Sequence, residues 1–130
     1  MVNRTTAREA AMQIVYQMDV RDEYAEAFVD KAIEEAGNLR EQKSYVKKVC
    51  MAVVENKGMI DNIIEMNVKK WTVARMPKVD LAVLRLAIAE ILFDADIPNA
   101  VAVNEAVSLA KKFSTEDSGR FINGVLANLM

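Results

Sequence analysis

The feature that most constrains this chain is residues 78–94, KVDLAVLRLAIAEILFD, in which apolar side chains fall on nearly every side of a helix. Such a helix cannot turn one face to water without leaving large aliphatic groups solvated. Met76-Pro77 marks its start, because the residue before a proline is pushed out of the helical region and the proline itself can stand at a helix start. The pattern predicts a central helix, the most buried of the chain.

The rest of the sequence predicts further helices and no β structure. The 130 residues contain only four Gly and two Pro, too little turn punctuation for many short strands, and 52% are hydrophobic, enough for a packed core. Apolar residues recur at helical spacing along most of the chain. We expect an all-α fold with about seven helices, forming a single domain over residues 1–130.

Capping signals set several helix ends. Thr6 and Glu9 have the spacing of a capping box, so the first helix is predicted to begin at Thr6. Gly37 follows the apolar stripe of the second helix and predicts its end. The third helix is predicted over about 44–56. Gly58 then either breaks the helical pattern or is tolerated inside a continuing helix, and the spacing does not decide between these.

The last helix contains an unusual glycine. Thr115 is a plausible N-cap, because Glu116 and Asp117 follow in the first turn, where carboxylates meet free backbone N–H groups and the positive end of the helix dipole. Gly124 lies within this helix, where glycine costs about 1 kcal/mol relative to alanine. We therefore predict that another backbone or a ligand comes close to Gly124, so that a leucine there would overpack a helix contact.

The sequence offers little for catalysis. It has no histidine, the commonest general base and metal ligand, and no P-loop, dinucleotide fingerprint or cysteine cluster. The single cysteine, Cys50, falls in an apolar pattern and is predicted to be a buried core thiol. We expect a protein that is not an enzyme and has no metal site and no cofactor.

Charge and hydropathy limit the possible partners. A formal net charge of −2 argues against nucleic-acid binding over the whole surface, so any RNA site must be local. The longest apolar-rich run, residues 81–93, is too short to cross a bilayer and contains Arg85 and Glu90. The N-terminus has no apolar leader segment. These observations predict a cytoplasmic protein with no membrane partner.

One face of the first helix has the residue types of an RNA site. Arg4 and Arg8 are four residues apart, so a helix would stack both guanidinium groups on one side, where they could meet phosphates. Gln13 can hydrogen-bond to base edges, and Tyr16 can stack on an unpaired base. The alternative is that these four side chains are simply the solvated side of the helix.

A second basic region covers residues 69–90. It could extend an RNA track or solvate the junction between the two halves of the chain, and both interpretations stay open. Because Arg85 lies in so apolar a helix, we expect it to form a buried ion pair. The positive residues of this region are Lys69, Lys70, Arg75, Lys78 and Arg85, against Asp80 and Glu90.

Three motifs resemble the NusB transcription antitermination family. They cover both ends and the middle of the chain, in the family's order and at suitable spacing. They are TAREAAMQIVYQMD at residues 6–19, WTVARMPKVDLAVLRLAIAEIL at 71–92 and NEAVSLAKKFSTEDSGRFINGVL at 104–126.

The resemblance implies two three-helix bundles packed roughly at right angles and sharing the long central helix. It assigns the first-helix face to single-stranded boxA RNA, with Asp117 and Phe121 beside that surface, although Phe121 could equally be a core aromatic. It places Asp80 and Arg85 near the binding surface for a partner, the ribosomal protein NusE. Thr5 and Thr6 stand where relatives often carry further arginines, a departure that bears on RNA affinity more than on the site's location.

The function implied by the resemblance is that of a non-enzymatic adaptor. It would bind boxA RNA together with NusE in the RNA polymerase antitermination complex, with the two ligands on different surfaces and reinforcing one another. One alternative is the accessory domain of an rRNA 5-methylcytosine methyltransferase, but the 130 residues contain neither a methyl-donor-binding domain nor a catalytic cysteine motif. The other is a helical interaction module without an RNA role, which the acidic net charge and few arginines permit.

Overall fold

The computed structural model describes residues 2–68 and 72–129, and within these ranges the chain is helical and contains no strand. The all-α prediction is confirmed. Two short 3₁₀ turns, Arg40–Gln42 and Val73–Arg75, lie in the connections. The six α-helices are α1 (Arg4–Arg21), α2 (Glu26–Ala36), α3 (Lys43–Met66), α4 (Lys78–Phe93), α5 (Asn99–Phe113) and α6 (Glu116–Ala127).

Helix α4 is the central element, as its sequence predicted. Every residue from Asp80 to Glu90 is buried. It packs against α1, α3, α5 and α6, while α2 packs on α3. Helix α4 therefore joins the helices that precede it in the described chain, α1 to α3, to the two that follow it, α5 and α6.

The helix α3 is one element with a kink. Asn56 departs from helical backbone angles (φ −126°, ψ 20°), and its side-chain amide donates to the carbonyl oxygen of Ala52 at 2.9 Å. Gly58 is exposed within the continuing helix, and the space around its Cα is open. The glycine is therefore tolerated and the distortion lies just before it. The third helix extends to Met66, past its predicted end near residue 56, and the described residues form six α-helices where about seven were expected.

Of the three predictions from capping signals, two are confirmed and one is wrong. Gly37 ends α2 with a positive φ of 73°, and the Oγ1 of Thr115 caps α6 by accepting from the backbone N–H of Ser118 at 3.0 Å. The first helix begins at Arg4, because Asn3 already caps it by accepting from the N–H of Thr6 at 2.8 Å. Thr6 is thus inside the first turn, and the capping box is not formed.

The expectation of a close contact at Gly124 is also wrong. Gly124 is exposed, and a Cβ built there would meet no atom within 4 Å, because the position lies off the buried stripe of Ile122, Val125 and Leu126. The tight glycine of α6 is Gly119, where a Cβ would lie 2.7 Å from the Cγ of Lys111.

Cys50 is buried, as predicted. Its Sγ lies 3.8 Å from the carbonyl oxygen of Ala11, and burial raises the pKa of the thiol to about 12. Among residues 2–68 and 72–129, no group of three or more acidic, cysteine or histidine side chains is arranged to hold a metal ion. In the same ranges, no helix combines the length and the apolarity that crossing a bilayer requires.

Candidate RNA interface

The N-terminal turn of α1 places Arg4 against the start of α3. The guanidinium group lies over the ring of Tyr45, 4.1 Å from its centroid, and Nε donates to Oε1 of Gln42 at 2.7 Å. The Arg4 side chain is exposed. A cation–π contact and a directional hydrogen bond restrict its rotamers, so a surface cation is held in place before any ligand arrives.

Arg8 points into the molecule. It is 4% exposed, its Nε donates to the Glu90 carboxylate at 2.9 and 3.1 Å, and its Nη1 donates to Glu105 Oε1 at 3.1 Å. Burial opposes the charge, but the hydrogen bond and the negative charge of Glu90 outweigh it and raise the pKa of Arg8. Arg4 and Arg8 thus do not form a pair of surface cations, and a role of Arg8 in RNA binding, which stays a prediction, would be exerted through the cluster it belongs to.

We call Arg8, Tyr45, Glu90 and Glu105 the Arg8 cluster. It joins α1, α3, α4 and α5: the Tyr45 hydroxyl donates to Glu90 Oε1 in the buried interior, and burial together with the Glu90 charge raises the pKa of this phenol. Thr5 Oγ1 adds a hydrogen bond to Glu105 Oε1 at 2.7 Å. The start of α1 is therefore fixed to the rest of the fold from two sides. The sequence patterns did not indicate that Tyr45 and Glu90 bind Arg8. The one available signal is the single glutamate of a largely apolar helix, because a buried carboxylate needs a buried partner.

Gln13 and Tyr16 lie farther along α1. Gln13 is exposed, and Tyr16 is half-buried, packed on the core with part of its surface accessible. Both positions allow the contacts proposed for them, an amide to a base edge and a ring to a base face.

The turn into α6 carries the other two predicted RNA residues. Asp117 is exposed and forms an ion pair with Arg120, and Phe121 is half-buried against the core. Between them lies Ser118, which is buried and donates from Oγ to Asp80 Oδ2 at 3.2 Å. Asp80 on α4 therefore anchors the turn that presents Asp117 and Phe121.

Asp80 is itself an unusual group. It is 3% exposed, and among the described residues no hydrogen bond reaches its Oδ1. Burial raises the pKa of Asp80, although the hydrogen bonds from Ser118 and Ser114 act in the opposite direction. As a buried group it presents no surface to a partner protein.

Arg85 forms the buried ion pair that its apolar setting suggested. It is 2% exposed, and its Nε and Nη2 donate to the two oxygens of Asp61 at 2.8 and 2.9 Å. Its Nη1 donates to Asp19 Oδ1 at 3.1 Å and to the Tyr24 hydroxyl at 3.0 Å. Burial raises the pKa of Tyr24 to about 12. Burial also disfavours the charged form of Asp19, but the hydrogen bonds from Lys78, Tyr24 and Arg85 outweigh it and lower the pKa of Asp19.

The basic region of residues 69–90 is only partly a surface feature. Arg75 is exposed, Lys78 is exposed and pairs with Asp19 at 2.9 Å, and Arg85 is buried. Lys69 and Lys70 lie outside the described residues. Of the three positive residues of this region that the structure describes, two are therefore surface cations.

Comparison with known proteins covers nearly the whole chain. Residues 5–130 match the NusB family. A transcription antitermination protein NusB of Ruminiclostridium cellulolyticum is 40% identical over 128 residues, 98% of this chain and 88% of the relative. One of Bacillus thuringiensis is 41% identical over 129 residues, 98% of this chain and 97% of the relative.

Solved structures agree with the sequence comparison. Thermotoga maritima NusB superimposes with a TM-score of 0.88 at 33% identity, covering 98% of this chain and 90% of that one. A crystal structure of antitermination factors NusB and NusE in complex with dsRNA gives a TM-score of 0.86 at 30% identity, covering 97% and 94%. With its sequence matched from residue 5 to residue 130 and its fold shared with solved members, the chain belongs to the NusB family.

Proposed function

We propose that this chain is a transcription antitermination factor that binds single-stranded boxA RNA and the ribosomal protein NusE within the RNA polymerase antitermination complex. The observation that carries the proposal is the match to antitermination proteins over 98% of the chain, at 40% identity. These relatives favour the adaptor over a methyltransferase accessory domain or an interaction module without RNA. The proposed role is assembly without catalysis, in the cytoplasm.

The RNA surface we propose combines the N-terminal end of α1, where Arg4 lies, with the side of α1 that carries Gln13 and Tyr16 and with the turn into α6. Arg4 would contact a phosphate, Gln13 a base edge and Tyr16 a base face. Asp117 and Phe121 would border the same track. Arg8 would act indirectly, because its buried guanidinium fixes α1 against α3, α4 and α5.

With few basic groups on this surface, RNA binding should depend modestly on salt. We expect the slope of log K against log salt to correspond to about two to four neutralised phosphates, each contributing roughly −0.7 for a single strand. A flat dependence would remove Arg4 from the site.

The NusE surface we propose lies at the start of α4, around the positions of Asp80 and Arg85. Both side chains are buried, so the contacts would be made by exposed neighbours such as Lys78 and Arg75. Asp80 also holds the α6 turn through Ser118, so the same residue contacts elements of both proposed surfaces. Binding of one ligand would then favour the other by a reciprocal factor, within the 1–3 kcal/mol that is typical of linked sites.

The test is titration of purified chain with boxA RNA, with and without NusE, and in both orders of addition. Tyr16→Asp should weaken RNA binding by about tenfold or more, because base stacking on an aromatic ring contributes about 1–3 kcal/mol. Tyr16→Phe, which keeps the ring, should bind nearly as well as the parent. Gln13→Glu provides an exposed second position if Tyr16→Asp melts early by circular dichroism.

The outcomes separate the proposals. Unchanged RNA affinity in Tyr16→Asp and Gln13→Glu would remove α1 from the site. Competition between NusE and RNA would show overlapping surfaces and end the adaptor mechanism. If the parent chain binds neither ligand, the proposed function is wrong.

A further inference from the structure

We propose that Lys112, on α5, is a phosphate-binding residue of the RNA surface on α1. This inference rests on the proposed function. It adds to the RNA surface a lysine whose position in the sequence, on α5, gives no sign that it lies beside α1. It identifies the ligand chemistry as the backbone phosphate of a single-stranded RNA.

Lys112 reaches across from its own helix to α1. It lies in the last turn of α5, and its Nζ is 2.7 Å from Oε2 of Glu9. Glu9 precedes Gln13 by four residues and Tyr16 by seven, so these three side chains share one side of α1. The Lys112 ammonium group therefore sits on the proposed RNA face, although its backbone belongs to another helix.

The position of Lys112 also connects the two parts of that surface. Phe113 ends α5 directly after it, and α6 begins at Glu116 with the turn that carries Asp117. An RNA strand running from the α1 face towards the α6 turn would therefore pass the end of α5 that carries Lys112.

Lys112 places a positive charge where the proposed RNA face would otherwise be negative. Glu9 places a carboxylate in the middle of the proposed RNA face, where it would repel phosphates, and Arg8 cannot compensate because it is buried against Glu90. Lys112 remains accessible, with a side chain 59% exposed. An ammonium group has three donors, so it can keep one hydrogen bond to Glu9 and donate another to a phosphate oxygen. An exposed lysine–carboxylate pair is weakly held, so a change of partner is cheap.

The neighbouring Lys111 differs in direction and supplies a matched control. Its Nζ lies 3.8 Å from Glu116 on α6, and its stem packs beside Gly119. Lys111 and Lys112 carry the same charge at adjacent positions, so replacing either one changes the long-range field by a similar amount. Only Lys112 extends to Glu9.

The competing explanation is that Lys112 merely neutralises Glu9. The two cases differ once Glu9 has been made neutral. If neutralisation is its only role, Lys112→Gln will have no effect in a Glu9→Gln background. If Lys112 contacts phosphate, it will still contribute there.

The experiment is boxA RNA titration at several salt concentrations with Lys112→Gln, Glu9→Gln, the double variant, Lys111→Gln and the charge-preserving Lys112→Arg. For a single strand, one phosphate contact contributes a factor of about four at 0.15 M relative to 1 M salt, given a slope of roughly −0.7. We expect Lys112→Gln to bind about fourfold more weakly at 0.15 M salt and to lower the salt slope by roughly 0.7. Lys112→Arg should remain close to the parent, and Glu9→Gln should bind more tightly.

The decisive comparison is between Glu9→Gln and the double variant. The proposal requires the double variant to bind more weakly than Glu9→Gln, and Lys111→Gln to have a smaller effect than Lys112→Gln. Equal binding by Glu9→Gln and the double variant overturns it, as does equality of Lys111→Gln and Lys112→Gln. Absence of RNA binding by the parent overturns the proposed function as well, so the two failures are distinguishable.

Discussion

Replacing Glu90 by leucine should strongly destabilise the fold. Glu90 is 1% exposed and accepts hydrogen bonds from Arg8 and from Tyr45. Leucine would leave the Arg8 guanidinium buried with Glu105 as its remaining ion-pair partner, at 3.1 Å, and would remove the acceptor of the Tyr45 hydroxyl. Breaking a buried ion pair from one side costs about 3–5 kcal/mol, and leaving a buried hydroxyl unpaired costs about 1–3 kcal/mol.

These two costs overlap, and Glu105 still compensates part of the Arg8 charge, so we expect the free energy of unfolding to fall by about 4 kcal/mol. The assay is urea unfolding at neutral pH followed by circular dichroism, with the midpoint and the m-value fitted together. The matched variant is the triple change Arg8→Met, Tyr45→Phe and Glu90→Leu. It removes the charges of Arg8 and Glu90 and the Tyr45 hydroxyl together, and should recover most of the loss, because the carboxylate that remains, Glu105, is partly exposed and keeps its hydrogen bond from Thr5.

The reasoning would be refuted by either of two results. A loss below about 1 kcal/mol for Glu90→Leu would mean that the burial of Arg8 does not depend on this carboxylate. If the triple variant is instead destabilised by the sum of its single changes, the Arg8 cluster does not act as a unit.

Two further predictions concern the core and the last helix. Gly124→Ala should raise the free energy of unfolding by about 0.5–1 kcal/mol, since the site is exposed and empty, and a variant no more stable than the parent in the same assay would show that Gly124 has a conformational role. Stability should also fall above pH 9, because burial raises the pKa of Cys50 from 9.0 to about 12, so the unfolded chain loses this proton first. The contribution of the protonated Cys50 thiol to the free energy of unfolding is therefore complete below pH 9. It is lost as the pH rises towards 12, by up to about 1.4 kcal/mol per pH unit. Urea midpoints measured from pH 7 to 10.5 check this, and Cys50→Ala should flatten the decline; an equal decline in that variant would contradict it.

The fold was predictable where its cause is local. The apolar circumference of α4 and the cap at Thr115 depend on residues within a few positions of one another, and both are confirmed. The Asn56 distortion was missed because its signal is a single side chain bonding to its own helix. Gly124 was misjudged because a glycine in a helix indicates a close contact only when it lies on the buried side.

The candidate site was less predictable because its electrostatics are long-range in sequence. The spacing of Arg4 and Arg8 is a local fact, but whether Arg8 is free depends on Glu90, 82 residues away, and on Glu105, 97 residues away. Lys112 joins the α1 surface through Glu9, 103 residues from it. No periodicity within α1 contains that information.

The three buried polar residues of α4 determine more than local charge balance. A helix that is apolar around its whole circumference could rotate about its axis, or slide along it, and still bury much the same area. Asp80, Arg85 and Glu90 recur at intervals of five residues, which turns successive side chains by roughly 140°. Each has a different principal partner: Ser118 on α6, Asp61 on α3 and Arg8 on α1.

Meeting all three pairings at once restricts both the rotation and the axial position of α4, so these residues set its register, which hydrophobic burial alone leaves undetermined. We expect that apolar replacement of all three together with their principal partners would leave α4 buried but without a unique orientation among its neighbours.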